Sequence, residues 1–197
     1  LYLASQSPRR AELLRQLGLR FDTVDSSIDE SVKPNEEPNT FVLRMAVEKA
    51  NAGVLRCAEL FETSNGETSR WVLAADTIVV HETRIFGKPA DQNRAVEMLM
   101  ALSNDTHTVM TAVAVVDAAG SRRQCCVATT VTFGEITEAE AQRYWLTGEP
   151  ADKAGAYAIQ GIAAKYVNRI EGSYTAVVGL PLYETQRLLN QSGYPSA

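Results

Sequence analysis

Short apolar runs along the chain alternate with stretches whose apolar residues recur at helical spacing, and this alternation predicts the elements. Residues 1–4 form an apolar run expected to be a short buried strand, and residues 8–17 a helix closed by Gly18, with Leu13, Leu14 and Leu17 as its stripe. Residues 21–24 suit a second strand, followed by an acidic, polar connection. A long helix is expected over residues 40–60, capped by Asn39 or Thr40, with Phe41, Leu43, Ala46, Val47 and Ala50 inward. Residues 62–70, with Asn65 followed by Gly66, are polar and suit a loop. "WVLAADTIVV" is a strand whose apolar run is broken only at Asp76 and Thr77, and a hairpin-like excursion leads to "FGKP". Helix formers fill residues 91–102, with Ala95, Leu99 and Leu102 at helical spacing. "HTVMTAVAVVD" and "QCCVATTVTFGEI" suit two long strands around a glycine-containing turn. Thr137 and Glu140 spell a capping box for a helix to about residue 147. A segment rich in glycine and strand formers then predicts tight turns and short strands, and residues 181–191 a final helix.

Strands interleaved with helices indicate an α/β or α+β architecture. The 197 residues, 45% hydrophobic, suit one domain, and no repeat or linker calls for two. Lys and Arg number 19 against 24 Asp and Glu, a net charge of −5. That balance supplies no basic track for nucleic acid and no attraction to an anionic membrane. No apolar run approaches the roughly 18 residues a membrane helix needs. Cys57, Cys125 and Cys126 lack metal-ligand spacing, which fits a reducing, cytoplasmic setting.

Candidate chemistry begins in "SQSPRR". Ser7 can cap a helix that starts at Pro8, where unpaired amides and the positive dipole end favour an anion, and Arg9 and Arg10 add fork-shaped donors suited to phosphate. An ordinary Ser-Pro cap beside solvated arginines has the same spelling. Asp76, at the edge of a buried run, must be solvated, paired or metal-bound; a strand-end turn is the plainer alternative. Glu30, Asp25 and Asp29 join it only if their loop folds back, and are otherwise solvated loop charges. Lys49 in "VEKA" and Lys88 in "GKP" can counter a polyphosphate or lie on the surface; Gln160 in "AIQG" can read a base edge or satisfy a turn. Cations together with a few carboxylates point to metal-assisted attack of water on a phosphoanhydride, with a hard ion such as Mg²⁺ held by oxygens. His81 and His107 form no H-E-x-x-H, and neither a P-loop nor G-x-S-x-G is present.

The motifs "LASQSPRRAELL", "VEKA", "AADTIV", "GKP", "HTVMTAVAVV", "DKAGAYAIQG" and "GSYTAVVGLP" follow one another in an order that resembles the Maf family of nucleoside triphosphate pyrophosphatases across almost the whole chain. The resemblance implies a single domain over residues 1–197, with an α/β fold related to inosine triphosphate pyrophosphatases: a twisted mixed sheet with flanking helices forming two lobes around a cleft. It implies hydrolysis between the α and β phosphates with a divalent cation, magnesium or manganese. Asp76 matches the catalytic base and Glu30 an acid that activates water or holds the metal with it. Ser5, Arg10, Lys49 and Lys88 match residues around the phosphates, and Arg9 lies in the same motif beside Ser7. Arg10, Thr77 and Gln160 match the branch that prefers dTTP and UTP. The same resemblance implies a cytoplasmic homodimer acting on a nucleotide, without a membrane or stable nucleic-acid partner. A noncatalytic nucleotide sensor in cell division, or a pyrophosphatase for other noncanonical nucleotides, are the alternatives. Residues 54–70 and Lys165 depart from the family pattern.

Overall fold

The structure, a computed structural model, describes residues 1–61 and 70–195. The expected loop at 62–70, with Asn65 and Gly66, lies outside the described residues apart from Arg70. Seven strands among the described residues form a mixed sheet: β1 (Tyr2–Ala4), β2 (Asp22–Val24), β3 (Val72–His81), β4 (Arg84–Phe86), β5 (Thr106–Val116), β6 (Arg122–Phe133) and β7 (Val167–Glu171). Their order is β2-β1-β3-β5-β6-β7, with β4 paired to β3 off that path. Six α-helices among the described residues accompany them: α1 (Pro8–Gln16), α2 (Pro38–Phe61), α3 (Gln92–Leu102), α4 (Glu138–Trp145), α5 (Tyr174–Val178) and α6 (Leu182–Gln191). Mixed sheet and flanking helices are as the family resemblance implies. Among the described residues no helix is long and apolar enough to cross a membrane.

Two compact units divide the chain. The first comprises Leu1–Asp76, Thr111–Val127 and Gly179–Ala197; the second comprises Thr77–Met110 and Ala128–Val178. In the first unit β1 is flanked by parallel partners, β2 in register Tyr2↔Asp22 to Ala4↔Val24 and β3 in register Tyr2↔Val72 and Leu3↔Leu73. β3 is buried at nearly every position, as expected of a strand covered on both faces. Leu3, Leu14, Val42, Met45, Ala46, Ala50 and Leu73 of this unit are fully buried. Each leucine of this kind contributes roughly 1.5–3 kcal/mol through removal from water. In the second unit β4 pairs antiparallel with β3 and β7 antiparallel with β6, and α3 packs against α4.

Three boundaries differ from expectation for local reasons. Helix α2 starts at Pro38, so Asn39 and Thr40 fall in its first turn rather than at the cap position expected of them. Proline suits a first helical position, where its missing N–H would have had no partner. Helix α4 carries the expected Thr137–Glu140 capping box but ends at Trp145, and Gly148 follows with φ 77°. The glycine-rich stretch from Gly155 to Pro181, expected to hold several short strands, forms two 3₁₀ turns (Ala154–Ala156 at its start and Ile162–Tyr166), the single strand β7 and the short helix α5.

Candidate functional site

In the first unit the three parallel strands deliver their carboxyl ends to one side, where α/β sheets commonly place ligand-binding groups. β1 stops at Ala4 and hands over directly to Ser5, Ser7 and α1. β2 stops at Val24 and opens the connection that carries Glu30. β3 outruns β1: the two strands pair as far as Leu3 and Leu73, and Asp76 stands three residues further on. Residues distant in sequence therefore meet because their strands share one direction.

The first cluster is organised around the start of α1. Ser7 is its extended N-cap and its hydroxyl accepts from the amide of Arg10 at 3.5 Å, with Pro8 at the first helical position. The buried Ser5 hydroxyl accepts from the Ser7 amide at 3.1 Å and from Arg10 Nη1 at 3.4 Å. Arg10 Nε donates to the carbonyl of Gly179 at 2.9 Å, a partner 169 residues away, which fixes the plane of the guanidinium. Burial lowers the pKa of Arg10, against which Asp76 and Glu30 act as favourable neighbouring charges. An arginine stays charged under such a shift, so the site holds a fixed cation beside helix amides.

Lys49 forms the second cluster. Its ammonium donates to Asp76 Oδ1 at 2.6 Å and lies 2.6 Å from Glu30 Oε1. Lys49 and Asp76 are both buried, whereas the Glu30 side chain is 49% exposed and can move with its loop. Buried charges of this kind persist only when paired. The lysine owes its place to Gly53, one helical turn further along α2 and so on the same face. A Cβ on Gly53 would stand 2.7 Å from Ala4 Cβ and 2.9 Å from Val72 Cγ1, so α2 lies against β1 and β3 at a distance only glycine allows. Arg44 on the same helix draws in the acidic loop: it donates to both Glu36 oxygens at 2.6 Å and to the Ser31 carbonyl at 2.9 Å, next to Glu30. That arginine holds the Glu36 carboxyl at a pKa of about 2, so the tether is ionised at neutral pH.

Of the acids in that loop, Glu30 alone is brought to Lys49 and Asp76. Asp25 accepts from Gln6 and Ser27, and Asp29 from Ser31. Arg9 lies beside Arg10 on α1 and contributes repulsive charge to it. Thr77, Lys88 and Gln160 belong to the second unit. Thr77 is the next residue of β3 after Asp76 and is half-buried. Lys88 is exposed on a loop whose Gly87 carbonyl accepts from the Gly155 amide at 3.1 Å. Gln160 is exposed at a turn that follows the buried Ile159. Sequence reasoning passed over Gly53 and Arg44, although an isolated glycine within a helical pattern is itself a sign of close packing.

Among the described residues no three His, Cys, Asp or Glu side chains gather into a metal-holding group. Asp76 and Glu30 supply two carboxylates on one ammonium. That donor set suits a hard divalent ion whose remaining ligands are phosphate and water oxygens, as magnesium commonly uses.

Fold and site together define an α/β protein whose buried, paired charges gather at the carboxyl ends of parallel strands beside a helix N-terminus. Residues 1–192 match the family described as Maf-like protein, and the chain belongs to that family. It is 49% identical over 196 residues to a dTTP/UTP pyrophosphatase of Hydrogenovibrio crunogenus, covering 100% of this chain and 97% of the relative. It is 51% identical over 195 residues to a dTTP/UTP pyrophosphatase of Saccharophagus degradans, covering 99% and 90%. A third relative of that description, from Pseudoalteromonas atlantica, is 48% identical over 194 residues, covering 97% and 96%.

Proposed function

We propose that this protein hydrolyses dTTP and UTP to the nucleoside monophosphate and pyrophosphate. The observation that carries the reading is the Glu30–Lys49–Asp76 cluster beside the start of α1, in a chain about half identical, end to end, to dTTP/UTP pyrophosphatases.

Ser7 and Arg10 would receive the polyphosphate, since helix amides and a fixed guanidinium complement its oxygens without the cost of ordering a flexible cation. Lys49, held between two carboxylates, is positioned to pass part of its interaction to an arriving phosphate; Lys88 adds charge in the second unit. Once Lys49 is drawn toward phosphate, Asp76 is the acceptor for a proton from the attacking water, and the half-exposed Glu30 can assist. Water then attacks the scissile phosphorus in line with the leaving pyrophosphate. A divalent cation held by Asp76 and Glu30, magnesium or manganese, would supply charge neutralisation on the phosphate oxygens. Thr77 and Gln160 are assigned to the base: a hydroxyl and an amide both donate and accept, matching the carbonyl and imide edge of thymine or uracil. A cytoplasmic homodimer free of membrane or nucleic-acid partners is carried by the family resemblance.

Product-resolved kinetics on dTTP, UTP, CTP, GTP and 7-methyl-GTP test the reading. The expected result is pyrophosphate release in multiple turnovers, fastest in kcat/KM for dTTP and UTP. Nucleotide binding without turnover, or a ranking led by a purine, would overturn it.

A further inference from the structure

Gln160 sits on a turn whose two shoulders are held by one pair of side chains. Tyr144, at the end of α4, donates its hydroxyl to Glu149 Oε1 at 2.6 Å, and the same hydroxyl accepts from the amide of Ala158 at 3.1 Å. The other carboxylate oxygen, Glu149 Oε2, accepts from the amide of Ile162 at 3.1 Å. The pair therefore grips the backbone two residues before Gln160 and two residues after it. Between those grips lies Gly161, and a Cβ there would fall inside the Glu149 carboxylate. The carboxylate fills the hollow behind the turn, and glycine is what admits it. Lys153 Nζ donates to the Glu149 carbonyl at 3.2 Å, fixing the backbone from which the carboxylate reaches. Tyr144 is buried, and burial followed by the Glu149 contact raises its pKa, so the hydroxyl keeps the proton it donates. Gln160 itself is exposed, yet the turn beneath it is pinned at both ends.

Such construction exceeds what a solvent-facing turn requires. An amide that must offer a donor and an acceptor in fixed places to a base edge needs a fixed backbone, because a freely moving one loses discrimination to entropy. We propose that Tyr144 and Glu149 are positioning residues for base selection: by clamping residues 158–162 they hold Gln160 in the orientation in which it distinguishes a thymine or uracil edge. This rests on the dTTP/UTP reading and on Gln160 facing the base within it.

The test compares kcat/KM for dTTP and CTP in the wild-type protein and in Glu149→Gln, Tyr144→Phe, Gln160→Ala and the Glu149→Gln/Gln160→Ala double variant, with Tm measured for each. Glu149→Gln keeps the shape but cannot accept at both oxygens. It is expected to cut the dTTP over CTP preference roughly tenfold, the worth of a hydrogen bond to a charged group, mainly through KM for dTTP. Tyr144→Phe, which loses both hydroxyl contacts, moves the preference in the same direction. In the double variant Glu149→Gln adds nothing to the loss already caused by Gln160→Ala. An unchanged preference in both clamp variants overturns the proposal. So does an equal fall for dTTP and CTP that tracks Tm, or multiplication of the two losses in the double variant. A wild-type protein without preference for dTTP and UTP defeats the functional reading first, and that outcome is visible in the wild-type measurement alone.

Discussion

The charged cluster of the first unit and the turn clamp of the second solve the problem of placing a side chain in opposite ways. Lys49 and Asp76 are 27 residues apart, and Arg10 is fixed by a carbonyl 169 residues away. Tyr144, Glu149, Ala158 and Ile162 bond across separations of 5, 13 and 14 residues. The first arrangement exists only when strands and α2 have packed, so a fault in packing reaches the charges. The second is local and can fail without taking the fold with it. Charge suits a polyphosphate, whose recognition tolerates variation in geometry, whereas a base edge is distinguished by direction and calls for neutral, rigid partners.

The largest effect separating the two regions is expected from Asp76→Asn. Removing the proton acceptor should lower kcat about 10²–10⁴-fold for every nucleotide, the usual worth of a general base, and leave the dTTP over CTP preference intact. Turnover equal to wild type in a steady-state assay would reject this role for Asp76.

Lys49→Met comes next. It leaves the buried Asp76 carboxylate without its ammonium, and breaking one partner of a buried pair typically costs about 3–5 kcal/mol. Glu30, half exposed, loses less because water takes over. Combining Lys49→Met with Asp76→Asn should restore much of the denaturation midpoint and none of the activity. A double variant no more stable than the single one would show that the pair is not what the fold depends on here.

Gly53→Ala asks whether helix packing sets the lysine. In an exposed helix this change stabilises by up to about 1 kcal/mol, but here the new methyl would meet Ala4 and Val72 at 2.7 and 2.9 Å. The sign should therefore invert, to a loss of about 1–3 kcal/mol from overpacking, with kcat falling as Lys49 shifts from Asp76. A variant more stable than wild type with full turnover would break the link between α2 packing and the charged site.

How far these regions were legible in the chain follows from the same distinction between local and distant partners. Ser7 before Pro8 and Thr137 before Glu140 announced their helix starts because a cap lies within one turn of the groups it satisfies. Asp76 stood out as a carboxylate within an apolar strand. What it pairs with could not be read, since nothing near residue 76 names residue 49 or residue 30. The resemblance assembled those residues, and parallel strands of unequal length explain why they meet. Glu149 escaped notice for another reason: beside Gly148 and Pro150 it has the composition of a solvated turn, and only the missing Cβ of Gly161 shows what fills the space. In the glycine-rich segment, strand-forming residues yielded to 3₁₀ turns where the backbone of Ala158 and Ile162 is held by the Tyr144 and Glu149 side chains rather than by a ladder.

The smallest effect expected concerns acid, and it contrasts a buried neutral pair with the paired charges. His107 is buried in the second unit, its Nε2 2.8 Å from the Tyr157 hydroxyl and its ring edge-on to Phe133 at 4.9 Å. Burial first, then the nearby His81, lowers its pKa from 6.5 to about 4, with Asp105 pulling weakly the other way. The folded protein thus keeps His107 neutral where the unfolded chain takes up a proton. Stability from this group is complete above pH 6.5 and drains as pH falls toward 4, at most about 1.4 kcal/mol per pH unit. His107→Gln keeps an amide for Tyr157 and removes the titration. Its denaturation midpoint should start lower at pH 7.5 but fall less steeply between pH 6.5 and 4.5 than that of the wild type. Parallel pH profiles for the two proteins would place the acid sensitivity elsewhere, in carboxylates such as Glu36 or Asp105, whose pKa values are held down by Arg44 and His81 and whose contribution is lost only as they protonate at lower pH.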